Sequence, residues 1–206
     1  MSHNMDNHQI DARLGIQTHH LIEQEFGDHF WHYHRTESTD YYVLDHLFRE
    51  FKFSATDQLV DMGSGTGRVL IYSAYKLEIP VVGVEFIPAA FDIAQRNILA
   101  LNEKMGQQYP ITILNQPVEE YQISSRDTVF YFFNPFQLVI MRPVIYGIMQ
   151  SVVAFPRKIT LIYYYPLDSC IQFIEEKTDF QLKKTILLPG NQQDPREKIV
   201  IYQNNL

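Results

Sequence analysis

The chain has 206 residues, a net charge of −7, and 46% hydrophobic, 20% charged and 14% aromatic residues, the balance of an ordinary globular protein, which argues against disorder and supplies one sizeable core. No apolar run approaches the ~18–20 residues that span a bilayer, and the first residues carry neither a basic region nor an apolar stretch, so a protein of the cytoplasm without a membrane partner is expected. The acidity disfavours duplex nucleic acid as a partner, because such binding draws its affinity from phosphate neutralisation.

Residues 1–40 read as an N-terminal extension or cap ahead of a domain at 41–206. The extension is less regular than the rest, and residues 1–56 hold four Lys/Arg against nine Asp/Glu. Seven of the eight histidines lie in it: His3, His8, His19, His20, His29, His32 and His34, with His46 beyond. The stretch HFWHYH at 29–34 has metal-ligating side chains but no recognised ligand spacing and no cysteine, so a solvated or packing role is expected and no metal site. Alternatively, His32 and Trp31 line a substrate entrance. TDYY at 39–42 leads into the amphipathic stretch VLDHLFREF.

From residue 57 onward, apolar runs alternate with amphipathic stretches. Strands are predicted at 58–62, 81–85, 112–115, 128–133 and 158–164, and helices at 68–77, 88–104, 143–154 and 167–177. The clearest helix follows Pro88, a first-turn proline, with Ile87, Phe91, Ala94, Ile98, Leu101 and Met105 at spacings of three and four. Pro143 is expected to begin a helix or break one. Cys170 falls in the last helix and is expected to be a buried or bystander thiol. At the end, FQLKKTILL and EKIVIYQ are strand-like runs joined by PGNQQDPR, too short for a crossover helix, so they should pair antiparallel. The expected fold is α/β: a three-layer, doubly wound, seven-stranded and mostly parallel sheet with a C-terminal antiparallel hairpin.

VDMGSGTGRV, at 60–69, places three glycines at alternate positions directly after the first strand. A P-loop needs G-x-x-x-x-G-K-[ST], and here Arg68 and Val69 follow Gly67. A dinucleotide fingerprint needs G-x-G-x-x-G, and its third glycine would fall on Arg68 in one frame and on Leu70 in the other. A nicotinamide-dependent oxidoreductase is therefore opposed by the spacing. What remains is D-x-G-x-G-x-G on Asp61, Gly63, Gly65 and Gly67. A loop with a carboxylate and no lysine suits a ligand that carries an ammonium group and a nucleoside, not a polyphosphate. Glu85 ends the second strand 22 residues after Gly63, near the ~20 at which an acidic residue reaches ribose hydroxyls.

On these residues the sequence resembles the class I S-adenosylmethionine-dependent methyltransferases, over roughly residues 40–206. The resemblance implies S-adenosyl-L-methionine as the cofactor, held by Asp61, Gly63, Gly65, Gly67 and Glu85, with Phe86 near the adenine. In the third motif position stand Asn115, Gln116 and Pro117, where Gln116 offers an amide oxygen to the adenine amino group. Related enzymes cover the cofactor with the segment before the glycine loop, which brings Tyr41 or Tyr42 towards the sulfonium or methionine end; packing at a helix start is the alternative.

The fourth strand runs into Asn134, Pro135 and Phe136, beyond the carboxyl end where doubly wound sheets bind ligands. The family's amino-methylating members carry N-P-P-aromatic there; this chain has N-P-F, one proline short. Together with G-x-G-R-V, G-V-E and YYYP at 163–166, the motif is most similar to a bacterial group of the class, with a partial likeness to the non-SET histone-lysine methyltransferases. The resemblance implies methyl transfer to an acceptor nitrogen on a protein side chain or small molecule, with Asn134 and Phe136 holding the acceptor. A non-catalytic S-adenosylmethionine-binding sensor or scaffold subunit is the alternative.

Overall fold

The computed structural model describes residues 6–19, 38–133 and 137–205. In chain order they form α1 (Asn7–Leu14), α2 (Tyr41–Glu50), β1 (Leu59–Met62), α3 (Arg68–Leu77), β2 (Val81–Glu85), α4 (Pro88–Met105), β3 (Ile111–Asn115), a 3-10 turn at Val118–Glu120, β4 (Val129–Phe133), α5 (Leu138–Ala154), β5 (Thr160–Tyr164), α6 (Asp168–Lys177), β6 (Gln181–Leu187) and β7 (Lys198–Gln203). The seven strands make one sheet in the order β3-β2-β1-β4-β5-β7-β6. The first five are parallel, and β7 runs antiparallel to both β5 and β6.

Apolar side chains fill both faces of the central strands, as they must when helices cover both sides of a parallel sheet. Tyr131 of β4 and Ile162 and Tyr164 of β5 pack on one side with Leu44 and Leu47 of α2, Leu70 and Ile71 of α3 and Leu101 of α4. Their strand neighbours Phe130, Phe132, Leu161 and Tyr163 pack on the other with Met141, Ile145 and Ile148 of α5 and Phe173 and Ile174 of α6. Strand alternation thus sorts adjacent residues into two cores. Cys170 joins the second core, where burial pushes its thiol up. At the sheet edge β6 is mostly exposed, and Lys184 ties it to Glu50 of α2 at 2.7 Å. Charge on an exposed edge discourages pairing with another chain.

The N-terminal segment is part of the first core. Asp6 caps α1 in a reciprocal capping box with Gln9, and Gly15 ends the helix in the left-handed region. Ile10, Leu14 and Ile16 are buried with Tyr41 and Leu44.

α5 corrects the reading of Pro143. The helix begins at Leu138 and runs through Pro143. The proline removes only the bond to the carbonyl of Val139, on an exposed turn, while Met141, Val144, Ile145 and Ile148 stay buried on the other face. Packing outweighs one missing backbone bond.

No helix among the described residues is long and apolar enough to cross a membrane.

Candidate functional site

The sheet order reverses direction at β1: β2 and β3 lie on one side of it, β4 and β5 on the other. Such a switch point opens a crevice beyond the carboxyl ends of the strands, and the glycine loop sits there. Gly63, Gly65 and Gly67 have φ of 91°, 53° and 90°, a region open to glycine and costly for other residues. At Gly67 space is limiting as well: a Cβ would stand 3.1 Å from that of Ala94 on α4. The loop folds back on the next strand, with the N–H groups of Gly63 and Ser64 donating to the carbonyl of Val84 at 2.9 and 3.1 Å.

Glu85, 5% exposed, reaches across to this loop. Its Oε2 accepts from the N–H of Gly65 and its Oε1 from that of Ile87, both at 2.7 Å. Burial pushes its carboxyl up, against these amide bonds, which favour the charged form. A carboxylate has about four lone-pair sites, more than these backbone bonds take up, so it can still accept from a ligand hydroxyl. The site therefore fits a ribose diol beside a backbone cradle.

Asp61 is 3% exposed and makes no hydrogen bond to another described residue. Burial first, and the negative charge of Glu85 second, push its carboxyl up to about 8. A buried acid with no hydrogen-bond partner among the described residues, next to a second acid, suits a ligand that brings a positive charge. Beside it, the Ser64 hydroxyl is buried with no hydrogen-bond partner.

Phe86 and Gln116 are half-buried at the ends of β2 and β3. The backbone N–H of Gln116 donates to the carbonyl of Glu85 at 3.2 Å. The neighbouring Asn115 clamps the same turn through its amide, which donates to the carbonyls of Glu85 at 2.8 Å and Phe86 at 3.1 Å. A residue that holds the acidic turn through backbone carbonyls leaves no motif to read in the sequence.

Tyr41 is buried beside the loop, with its ring under the Arg68 guanidinium at 4.9 Å and its hydroxyl donating to Asp11 at 2.5 Å. Both its face and its polar end are engaged. Arg68 is itself 4% exposed; its Nε donates to Thr18 at 2.6 Å and its Nη1 to the carbonyl of Thr39 at 3.2 Å. The Thr66 hydroxyl donates to the carbonyl of Thr18 at 2.9 Å, and the Asn97 amide joins the carbonyls of Gln17 and Thr66 at 2.9 and 3.0 Å. Residues 16–18 are thereby strapped to the glycine loop. The G-R-V motif was legible; the partners of its arginine, far off in the chain, were not.

On the β4–β5 side, a cavity of about 240 Å³ is lined by Ser38, Asp40, Phe133, Tyr164, Tyr165 and Glu197. Asn134 and Phe136, expected to hold the acceptor, lie outside the described residues, as do Trp31, His29, His32 and His34. Among the described residues, no group of three His, Cys, Asp or Glu side chains is placed to hold a metal ion.

No family model matches the chain, and no curated protein matches it. Its fold, however, recurs among solved structures. An RNA methyltransferase from Salinibacter ruber, in complex with S-adenosyl-L-homocysteine, superposes with a TM-score of 0.57 at 18% identity, over 82% of this chain and 92% of that one. A SAM-dependent methyltransferase from Methanosarcina mazei gives 0.57 at 12% identity, over 75% and 95%. Magnesium protoporphyrin IX methyltransferase from Synechocystis PCC 6803, with bound SAM, gives 0.51 at 15% identity, over 79% and 75%. The chain has the seven-stranded fold of these methyltransferases, with the same mostly parallel sheet closed by an antiparallel hairpin.

Proposed function

We propose that this protein is an S-adenosylmethionine-dependent methyltransferase. The observation that carries the reading is the junction of Glu85 with the glycine loop: a carboxylate held by the Gly65 and Ile87 N–H groups, beside three glycines in the left-handed region, at the sheet's switch point. Fold neighbours with S-adenosylmethionine or S-adenosylhomocysteine bound support it. When bound, this cofactor supplies a methyl group on a positively charged sulfur, already activated for in-line displacement, so the protein's work is alignment.

In this reading Glu85 accepts from the ribose hydroxyls, Gly63, Gly65 and Gly67 give the ligand access to the backbone, and Asp61 faces the positively charged methionine end. Phe86 and Gln116 border the adenine. Tyr41 acts one step back, by holding Arg68 and the N-terminal strap against the loop. Asn134 and Phe136 orient an acceptor nitrogen on a protein side chain or small molecule. Asparagine can accept a hydrogen bond from such a nitrogen but has no basic group to take its proton.

Calorimetric titration with S-adenosylmethionine and S-adenosylhomocysteine tests the cofactor. Micromolar binding that Glu85→Ala weakens by about tenfold or more, ~1.4 kcal/mol, is expected. No binding to the wild type sinks the reading. Binding without turnover of any acceptor would make the chain a sensor or scaffold subunit instead.

A further inference from the structure

The cavity at the ends of β4 and β5 has a chemical character of its own. One wall is aromatic: Phe133 and Tyr164 are stacked with ring centroids 4.6 Å apart, and Tyr165 meets Tyr164 edge-on at 6.1 Å. Two carboxylates, Asp40 and Glu197, line the remainder with Ser38. Glu197 accepts from the Tyr164 hydroxyl at 3.1 Å and has no cationic partner among the described residues. Asp40 accepts from the amide of Asn7, and its nearest cation is the buried Arg68, 3.9 Å away. Arg196 lies outside the lining, behind Tyr165: it covers that ring at 4.3 Å, donates to its hydroxyl at 2.7 Å and pairs with Asp194 at 3.2 Å. Among the described residues, the lining carries two carboxylates and no lysine or arginine. Ser38 joins the cavity to the glycine loop: its hydroxyl donates to the Thr18 carbonyl at 2.7 Å and lies 3.4 Å from that of Thr66.

We propose that this cavity receives the methyl acceptor, and that the acceptor is a small aliphatic amine which enters as its ammonium ion. Anionic and aromatic walls attract a cation and repel carboxylates and phosphates. About 240 Å³ is below the range of drug-sized pockets, which suits an amino head group on a narrow chain rather than a fused ring system. The inference rests on the methyltransferase reading. An ammonium has no lone pair, so one proton leaves to water before the nitrogen forms its bond to the methyl carbon, and the electron pair of the broken carbon–sulfur bond stays on sulfur. Glu197, beside the entering cation, is the positioning residue.

Ligand-observed NMR with n-butylamine, n-butanol and butyrate, three probes of matched size and different charge, tests the claim with and without S-adenosylhomocysteine. The amine should bind about tenfold or more tightly than the alcohol, with butyrate not binding, and Glu197→Gln should erase most of that preference. Glutamine still accepts from Tyr164, so the variant keeps its fold; a matched thermal melt verifies this. Equal binding of amine and alcohol, preference for butyrate, no amine binding at all, or an unchanged preference in Glu197→Gln each overturns the proposal. Amine preference without any S-adenosylhomocysteine binding would instead overturn the cofactor reading and leave the charge preference of the cavity standing.

Discussion

The residue that closes β2 also fixes the loop that follows β1: Glu85 Oε2 accepts the N–H of Gly65 at 2.7 Å while Oε1 accepts that of Ile87 at the same distance. Both oxygens are therefore engaged in holding the loop and the turn after β2. In Glu85→Gln one oxygen becomes an NH2 group facing a backbone donor, so one buried N–H loses its acceptor. A loss of ~1–3 kcal/mol in urea unfolding is expected, together with weakened S-adenosylmethionine binding in calorimetry. A variant with wild-type stability would mean that the loop does not depend on this carboxylate.

Asp61 makes stability depend on pH. Its carboxyl is raised from 3.8 to about 8, by burial and then by Glu85, so in the window between these values the folded chain holds a proton that the unfolded chain has released. Stability then falls as pH rises through the window and is greatest below it. One such proton gives at most ~1.4 kcal/mol per pH unit, or ~3–6 °C in Tm for a chain of this size. Melts between pH 5 and 7.5 should show the fall, and Asp61→Asn should flatten it, leaving the smaller slope of the same sign that the raised Glu85 contributes. Parallel slopes would remove Asp61 as the source.

Arg68 holds the N-terminal strap. Its fork reaches Thr18 and the carbonyl of Thr39 at once while its plane covers Tyr41, a geometry that a lysine cannot reproduce. Arg68→Lys should cost ~1.5–3 kcal/mol, the range for hydrogen bonds to charged groups. Limited proteolysis should then cleave within residues 6–19 before the sheet domain opens. Simultaneous loss of strap and domain would show that the two unfold as one unit.

Pro143 is expected to be a site of easy stabilisation. It is exposed inside α5, so alanine there loses no packing and restores the bond to the Val139 carbonyl. Pro143→Ala should raise stability by ~2 kcal/mol, the helix gain of ~3 less the ~0.4–1 of unfolded-state entropy that proline removes. Urea midpoints read the change; a drop in midpoint would mean that the proline's fixed φ is needed by the turn.

Chain-local physics made much of the fold legible. Parallel strands buried on both faces read as apolar runs, which is why the expected limits of the five parallel strands lie within two residues of the observed ones and those of the helix at 68–77 coincide with them. The antiparallel end followed from a connector too short to cross the sheet. The glycine loop and Glu85 stood out because their spacing belongs to one strand-turn-helix unit and the strand after it. Less was legible where distant contacts decide. α1 has only a weak apolar face and is held by its capping box and by a buried Asp11 that accepts from Thr18 and Tyr41.

The layered fold, the glycine cradle and the acid facing it could be read from the chain alone, since they follow from periodicity, glycine's freedom at positive φ and fixed spacing. Long-range packing, by contrast, turns Tyr41 to Asp11 and Arg68, sets Asn115 as the clamp of the acidic turn, and brings Asp40 and Glu197 into one aromatic cavity. The reason is physical: side chains far apart in the chain meet only when the sheet order brings their elements together, and no local pattern encodes that meeting.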